Sequence, residues 1–294
     1  MSLPVSNPPS AGPLLHATLI VADAAPLVAA YAHLGLVVQN ESRIAESDAG
    51  AWGAAGSHLV GRRRVDLGPL GAAEPLLRLI VVPGTAPRPT RWHHGWLALE
   101  ILVRDVDTLA TRLAMAGGAG FQVVGPPADL DVSPAIRAMQ LVGPAGEMLY
   151  LTQVKAEVPP FAIPLSSRLP QGQDLGPLFI AVMATPSRAA ALAACAPLGA
   201  GPALQFETKV TVLNRALGHA LDKRWPVATV QWAGECLFEI DEVVDPGLRP
   251  PLAAAGQSLP AGLAWIAIAC DAVPAGLREL SPGAWIECCP PRRS

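Results

Sequence analysis

The chain has 294 residues, of which only 15% are charged, and its formal net charge is −3 at pH 7. This length suffices for two domains with a sizeable buried core. The chain carries no extended run of Lys or Arg, which excludes a binding surface for nucleic acid or for an anionic membrane. We therefore predict that neither is a partner.

The N-terminal region is where a targeting or membrane-spanning segment would be expected. Residues 14–38 are apolar and long enough to span a bilayer, but Asp23, Pro26 and His33 interrupt them. A strand followed by a helix fits this segment better than one membrane helix. No basic region precedes the apolar stretch, as it would in a signal peptide. We predict a cytoplasmic protein without a membrane segment.

A segment that recurs four times decides the architecture. Each copy consists of a β-branched apolar strand, an Asp or Thr, an Ala- and Leu-rich helix, and a Gly. The copies read HATLIVADAAPLVAAYAHLG from His16, ALEILVRDVDTLATRLAMAGG from Ala98, FIAVMATPSRAAALAACAPLG from Phe179 and AWIAIACDAVPAGLRELSPG from Ala264. The Asp or Thr suits a helix N-cap, because its short side-chain oxygen accepts a free backbone N–H. A spacing of roughly eighty residues indicates a domain-sized module rather than a solenoid repeat.

Further strand patterns after each helix extend the repeat to a βαβββ module, so we predict an α+β fold. Two such modules side by side would curve their sheets around a shared cleft, which is a natural ligand site. The fourth copy is short, with only GAWIECC where three strands would be expected. The predicted parts are a flexible tail (1–13), a first domain (14–156, with modules 14–84 and 92–156), a Pro-rich linker (157–175) and a degenerate second domain (176–294, with modules 176–245 and 260–294).

This arrangement resembles the vicinal oxygen chelate superfamily, which includes glyoxalase I, extradiol dioxygenases and bleomycin-resistance proteins. The resemblance rests on LLHATLIVADA, on LALEILVRDVDTLATRL and on the closing turn and strand GPAGEMLYL, and it weakens after Val154. It implies tandem βαβββ modules paired into two curved-sheet, glyoxalase-like domains. In metal-dependent members, His, Gln and Glu on the first and last strands of paired modules hold a divalent ion that acts as a Lewis acid.

In the first two modules, the four ligand positions that the resemblance implies hold His16, Arg78, Ala98 and Tyr150. His16 alone is a ligand of the usual kind, and a guanidinium repels a divalent ion. We therefore predict no cofactor. An alternative keeps a divalent metal bound by His16 and Glu100 with help from Tyr150. The second half offers Glu239 and Glu287 without a histidine, so we interpret it as a degenerate duplicate that serves structure or covers the first cleft.

Side chains two residues apart share one face of a strand, so the family register brings several polar groups to one cleft. The predicted catalytic residues are His16, Glu100 and Tyr150. The predicted substrate-binding residues are Arg78, Trp96, Arg137 and Gln140. Structural interpretations stay open for four of them: an ion pair between Arg78 and Glu100, a core histidine at His16, and half-buried packing of Tyr150.

The leading hypothesis is that the cleft of the first two modules binds a small, anionic organic molecule and acts as a metal-independent lyase or isomerase. His16 or Glu100 would move a proton next to a carbonyl, while Arg78 or Tyr150 stabilises the oxyanion. The alternative is a non-catalytic protein that sequesters a small molecule, as resistance-type relatives do. A monomer fits, because four modules can form both clefts within one chain. A homodimer fits as well, because a neighbouring copy could complete the truncated module.

Overall fold

Four β-rich modules form the protein in a computed structural model, which describes residues 9–130, 133–251 and 258–291. The α+β fold and the tandem modules are confirmed. The first module consists of β1 (Leu14–Val21), α1 (Ala25–Ala32), β2 (Leu36–Arg43), α2 (Glu46–Ala51), α3 (Gly53–Gly56), β3 (Arg63–Pro69) and β4 (Leu77–Val81). The second consists of β5 (Gly95–Val103), α4 (Val106–Met115), β6 (Gln122–Leu130), β7 (Ser133–Val142) and β8 (Met148–Val154).

The second half of the chain repeats this plan incompletely. The third module consists of β9 (Leu175–Thr185), α5 (Arg188–Cys195), β10 (Ala203–Lys209), α6 (Thr211–Leu217), β11 (Arg224–Trp232) and β12 (Cys236–Glu242). The fourth consists of β13 (Gly262–Ala269), β14 (Gly276–Ser281) and β15 (Ala284–Cys289). The helix predicted after Asp271 is wrong, since its second half forms β14 and pairs with β15. Pro274 and Gly276, whose φ is +136°, leave no uninterrupted segment for a helix there.

The modules pair in an order that differs from the prediction. The first sheet has the order β14-β15-β13-β1-β4-β3-β2 and joins the first and fourth modules, whereas the second sheet has the order β10-β11-β12-β9-β5-β8-β7-β6 and joins the third and second. At each junction two first strands run antiparallel, β1 beside β13 and β5 beside β9. The predicted pairs, 14–84 with 92–156 and 176–245 with 260–294, are therefore wrong. All four first strands are apolar, so the sequence pattern does not specify which of them meet.

Within the described part of the chain, three hydrophobic cores cover the faces of the two sheets. The largest unites the helix-bearing faces of both sheets and includes Leu19 of β1, Leu99 of β5 and Leu109 of α4. A smaller core covers the other face of the first sheet around Trp265, and another covers the other face of the second sheet around Val182. We call these two the outer faces, and the largest core separates them.

Helix caps follow the prediction at α4, whereas the N-cap of α1 is Ala24 instead of Asp23 and that of α5 is Ser187. Asp105 accepts two backbone N–H bonds, both 3.0 Å, in the first turn of α4. Asp23 accepts the N–H of Ala25 at 3.0 Å where α1 begins, and Ser187 rather than Thr185 caps α5. None of the helices in the described part of the chain has the length and apolar character needed to cross a bilayer.

The segment predicted to be a flexible tail is partly anchored. Residues 1–8 lie outside the described residues. The backbone N–H of Ser10 donates to the Gly199 carbonyl at 3.0 Å, and that of Gly12 donates to the Ala269 carbonyl at 2.8 Å. The prediction of a tail is therefore wrong from Ser10 onward.

The Pro-rich segment 157–175 packs on the outer face of the second sheet. Phe161, Ile163 and Leu165 contact the core there. Ser166 Oγ donates to the Val103 carbonyl at 2.6 Å, so the segment is fixed to β5. We predicted a linker between two domains. The segment instead connects the second and third modules, which belong to one sheet.

Candidate functional site

The predicted site residues lie on two different sheets. His16 of β1 and Arg78 of β4 lie on the outer face of the first sheet, whereas Glu100 of β5 and Tyr150 of β8 lie on the outer face of the second. The first and second modules belong to different sheets, so the predicted convergence of these four residues is wrong. The same separation excludes the alternative metal site of His16, Glu100 and Tyr150.

On the first sheet, a buried group that we call the guanidinium cluster consists of His16, Trp52, Asp66, Arg78, Trp265 and Glu287. Arg78 Nε donates to Asp66 Oδ1 at 3.3 Å, and Arg78 Nη1 lies 3.6 Å from Glu287 Oε2. Trp52 Nε1 and Trp265 Nε1 donate to the two Glu287 oxygens at 2.6 and 2.9 Å. Arg78 therefore pairs with two carboxylates of its own sheet, and the predicted pair with Glu100 is wrong.

His16 is a neutral base in this cluster. It is 6% exposed, and its Nε2 lies 3.8 Å from Glu287 Oε2, beyond hydrogen-bonding distance. Burial lowers the pKa of His16 well below its usual value, and the charges of Arg78 and Arg64 lower it further. The ring therefore carries no charge at neutral pH.

On the second sheet, a group that we call the carboxyl cleft consists of Glu100, Gln140, Tyr150, Thr152, Glu239 and Asp241. Thr152 Oγ1 donates to Glu100 Oε1 at 2.7 Å. Burial raises the pKa of Glu100 to about 8, and the charge of Glu239 contributes, although the bond from Thr152 opposes the rise. Glu100 therefore keeps its proton at neutral pH.

Tyr150 lies beside Glu100 in the pairing of β5 with β8. Burial raises the pKa of Tyr150 well above its usual value, and the charges of Glu239, Asp241 and Glu100 raise it further. Its phenol is therefore a proton donor over the whole range in which Glu100 titrates.

Glu239 and Asp241 are two residues apart on β12 and face the same side. Asp241 is fully buried, and no N–H or hydroxyl group among the described residues donates to its side-chain oxygens, so the carboxyl group of Glu239 is the group with which it can share a proton. Burial raises the pKa of both groups, and the charge of Glu239 raises that of Asp241 further. Their repulsion is relieved when the pair holds one proton between its carboxyl groups.

Half-buried apolar side chains surround these carboxyl groups. Ile136 of β7, Phe206 of β10, and Phe161 and Leu165 of the Pro-rich segment all pack against the hydrophobic core of this outer face. Such apolar walls around a few polar groups with shifted pKa values are typical of small-molecule sites.

Two glutamines complete the cleft. Gln231 fixes the Pro-rich segment over it, because its side-chain amide accepts from the Ala162 N–H and donates to the Ala162 carbonyl, both at 3.0 Å. Gln140 lies beside Tyr150 in the pairing of β7 with β8 and is half-buried. Of the seven predicted site residues, Glu100, Tyr150 and Gln140 are thus brought together here.

Trp96 and Arg137 lie elsewhere, so their predicted place in the cleft is wrong. A register shift between Trp96 and Ala98 turns Trp96 into the largest core, where its Nε1 donates to the Trp285 carbonyl at 2.6 Å and ties the two sheets together. Arg137 points to the helix side, where it donates to both oxygens of Asp107 at 2.8 and 2.9 Å. A one-residue change of strand phase is enough to move a side chain to the other face.

Neither site fits the divalent ion that the resemblance implies. In the guanidinium cluster, the positive charge of Arg78 already lies against Glu287, which any ion there would need as a ligand. In the carboxyl cleft, Ala98 and Tyr150 replace two ligands, and Glu239 is engaged with Asp241. In residues 9–130, 133–251 and 258–291, no group of three or more His, Cys, Asp or Glu has a spacing suited to a metal ion.

Sequence reasoning missed the importance of Glu287, Glu239, Asp241 and Trp52. Glu287 and Glu239 lie at the carboxylate positions of their modules. The sequence does not show that the fourth module pairs with the first and the third with the second, so it does not indicate which side chains these two carboxylates contact. A usable signal was that the truncated fourth module keeps its first and last strands, the two that bear site positions. Trp52 lies in an Ala- and Gly-rich segment and gave no such signal.

Comparison with known proteins supports the fold. No protein-family model and no curated protein matches the chain. Glyoxalase I from Zea mays is similar in structure, with a TM-score of 0.52 and 16% identity over 87% of this chain and 74% of that chain. A putative dioxygenase from Bacillus subtilis has a TM-score of 0.52 and 12% identity over 87% of this chain and 69% of that chain.

A bleomycin resistance determinant encoded on a transposon is also similar, with 16% identity, but it covers only 49% of this chain at a TM-score of 0.33. Only the two longer matches, with TM-scores of 0.52, bear on the fold of the whole chain. Identities of 16% and 12% bear on the fold and not on the activity. The chain has a glyoxalase-like fold.

Proposed function

We propose that the protein binds a small organic molecule in the carboxyl cleft and that Glu100 passes a proton to or from this ligand without a metal. The observation that carries the proposal is the position of the Glu100 carboxyl group, which is buried among apolar side chains and accepts a bond from Thr152 at 2.7 Å; this burial raises its pKa to about 8. Because Oε1 accepts from Thr152, Oε2 is left to donate its proton to a ligand oxygen or nitrogen. A carboxyl group whose pKa lies near the working pH is suited to acid–base catalysis.

The charge of the cleft favours a neutral or cationic ligand. With Glu100 protonated, the pair of Glu239 and Asp241 supplies one negative charge when it holds one proton. A ligand anion would be repelled in this desolvated place. This reverses the anionic ligand expected from Arg78, because that charge is balanced by two carboxylates on the other sheet.

Three probes of similar shape and different charge test the proposal: benzylamine, benzyl alcohol and benzoate. Titration calorimetry at pH 7 should show that benzylamine binds at least about tenfold more tightly than benzoate, since one charge contact in a desolvated cleft is worth about 1.4 kcal/mol or more. Benzyl alcohol should fall between them. Equal affinities, or a preference for benzoate, would contradict the proposal.

Two variants show whether the probes occupy this cleft. Glu239→Gln should remove the preference for benzylamine over benzyl alcohol, because burial raises the pKa of the remaining Asp241 well above its usual value and keeps that carboxyl group uncharged. Glu207→Gln is the matched control, since Glu207 lies on exposed β10 outside the cleft and the chemical change is the same. Loss of the preference in both variants, or in neither, would place the probes elsewhere.

A non-catalytic protein that sequesters its ligand is the second candidate. The half-buried apolar side chains of Ile136, Phe161 and Phe206 favour it, because they can hold a ligand without any proton transfer. In this case the carboxyl groups serve recognition alone.

Exchange of the benzylic hydrogens of phenylacetone in D₂O distinguishes the two candidates. In the catalytic case Glu239 takes a C–H proton while Glu100 donates its proton to the carbonyl oxygen, and the resulting enol takes up deuterium on the return step. Proton NMR should show exchange above the buffer rate with the wild type and none with Glu100→Gln. Binding of phenylacetone without exchange would support sequestration and refute the catalytic role.

A further inference from the structure

A strap of residues 45–61 crosses the outer face of the first sheet. It leaves edge strand β2 and returns to β3, and its neck is held by the bonds from Ile44 N–H to Arg62 and from Gly61 N–H to Ile44, both 2.9 Å. Its middle reaches β15, where Trp52 Nε1 donates to Glu287 Oε1 at 2.6 Å. In the sheet order β15 is the fifth strand from β2, a path of about 24 Å at the usual strand spacing.

Two unpartnered polar groups lie beneath the strap. His16 Nε2 and Thr18 Oγ1 have no hydrogen-bond partner among the described residues, and the two residues are 6% and 0% exposed. Being two positions apart on β1, they face the same side, and Thr18 stands between Trp265 and Arg78 in the strand register. Buried polar groups are normally hydrogen-bonded, so each of these needs a partner.

The charges around these two groups balance. Arg78 and Arg64 face Asp66 and Glu287, and His16 is neutral. An added cation or anion would therefore leave one charge buried without a counter-ion. A neutral hydroxyl group meets both needs, since it donates to His16 Nε2, in the tautomer with the proton on Nδ1, and accepts from Thr18 Oγ1.

We propose that the strap is a lid over a second binding site, in which His16 and Thr18 hold the hydroxyl group of a small neutral molecule. The Trp52 and Trp265 indoles, whose ring centroids are 5.4 Å apart, form its apolar wall. The bond from Trp52 to Glu287 keeps the lid closed. This site is separate from the carboxyl cleft, so its test does not depend on the function proposed there.

Ethanediol, ethanolamine and glycolate are matched probes, because they share size and hydroxyl group and differ in charge at pH 7. The readout is the imidazole ¹⁵N spectrum, in which the His16 signal is identified by its absence from His16→Gln. Ethanediol should shift this signal saturably, whereas the two charged probes should not. Thr18→Val should weaken ethanediol binding about tenfold, the effect of losing one hydrogen bond.

The lid is tested with Trp52→Phe, which keeps an aromatic ring and removes the bond to Glu287. Ethanediol should enter and leave faster in this variant, as line broadening of the His16 signal reports. Unchanged exchange rates would overturn the lid.

If ethanediol does not shift the His16 signal of the wild type, a trapped water occupies the place and the proposed site is refuted. Equal shifts by all three probes would also refute it. If Trp52→Phe does not fold, backbone hydrogen exchange of the wild type decides: the strap should exchange faster than β1 beneath it, and equal rates would refute the lid.

Discussion

Replacing Glu100 by Gln tests the protonation state on which the proposed function depends. The pKa of Glu100 is raised from 4.5 to about 8, so the folded protein binds this proton more tightly than the unfolded chain does. Between these values the folded state carries more protons, and the free energy of unfolding falls as the pH rises. At about 1.4 kcal/mol per pH unit, the fall reaches about 4 kcal/mol between pH 5 and pH 8 and stops above pH 8.

The assay is urea unfolding from pH 5 to pH 9. Glu100→Gln lacks the titrating group and keeps an oxygen that accepts from Thr152, so its stability should lose this part of the pH dependence. Glu147→Gln is the matched control. Glu147 accepts a hydrogen bond from Tyr31 at 2.8 Å, and burial raises its pKa to about 7, so its contribution to the pH dependence of stability should end near pH 7. Parallel pH profiles for the wild type and Glu100→Gln would refute the reasoning.

Three further substitutions test the structural parts of the account by urea unfolding. Arg78→Met should lower the free energy of unfolding by about 3–5 kcal/mol, because it leaves Glu287 buried without its cation and Asp66 with Arg64 alone; a loss below about 1 kcal/mol would contradict the cluster. Trp96→Phe should cost about 1–3 kcal/mol through the unpaired carbonyl of β15, with benzylamine affinity unchanged. Weaker benzylamine binding by Trp96→Phe would show that Trp96 contacts the ligand and would contradict its place in the largest core. Asp105→Ala should cost about 1 kcal/mol by removing the cap of α4, and no cost would refute the cap.

The sequence predicted the modules because their signal is local. The strand, capping oxygen and helix around Asp105 are adjacent in the chain, and so are β7, β8 and the turn between them. Gln140 and Tyr150 could be placed together for the same reason, since one short hairpin carries both.

The site required information that local patterns do not contain. The first strands of all four modules are apolar, so nothing in β1 specifies β13 rather than β5 as its neighbour. Arg78 was therefore matched with Glu100 instead of Glu287. In addition, a bulge next to Trp96 places its side chain on the opposite face from the predicted one. Side chains of a strand alternate between the two faces, so one extra residue changes the face of those beyond it.

A crystal structure of the protein with bound benzylamine tests the central claim most directly. The account predicts the ring on the outer face of the second sheet and the ammonium group within hydrogen-bonding distance of the carboxyl group of Glu239 or of Glu100. An empty carboxyl cleft at saturating benzylamine, or a ligand bound on any other surface, would contradict it.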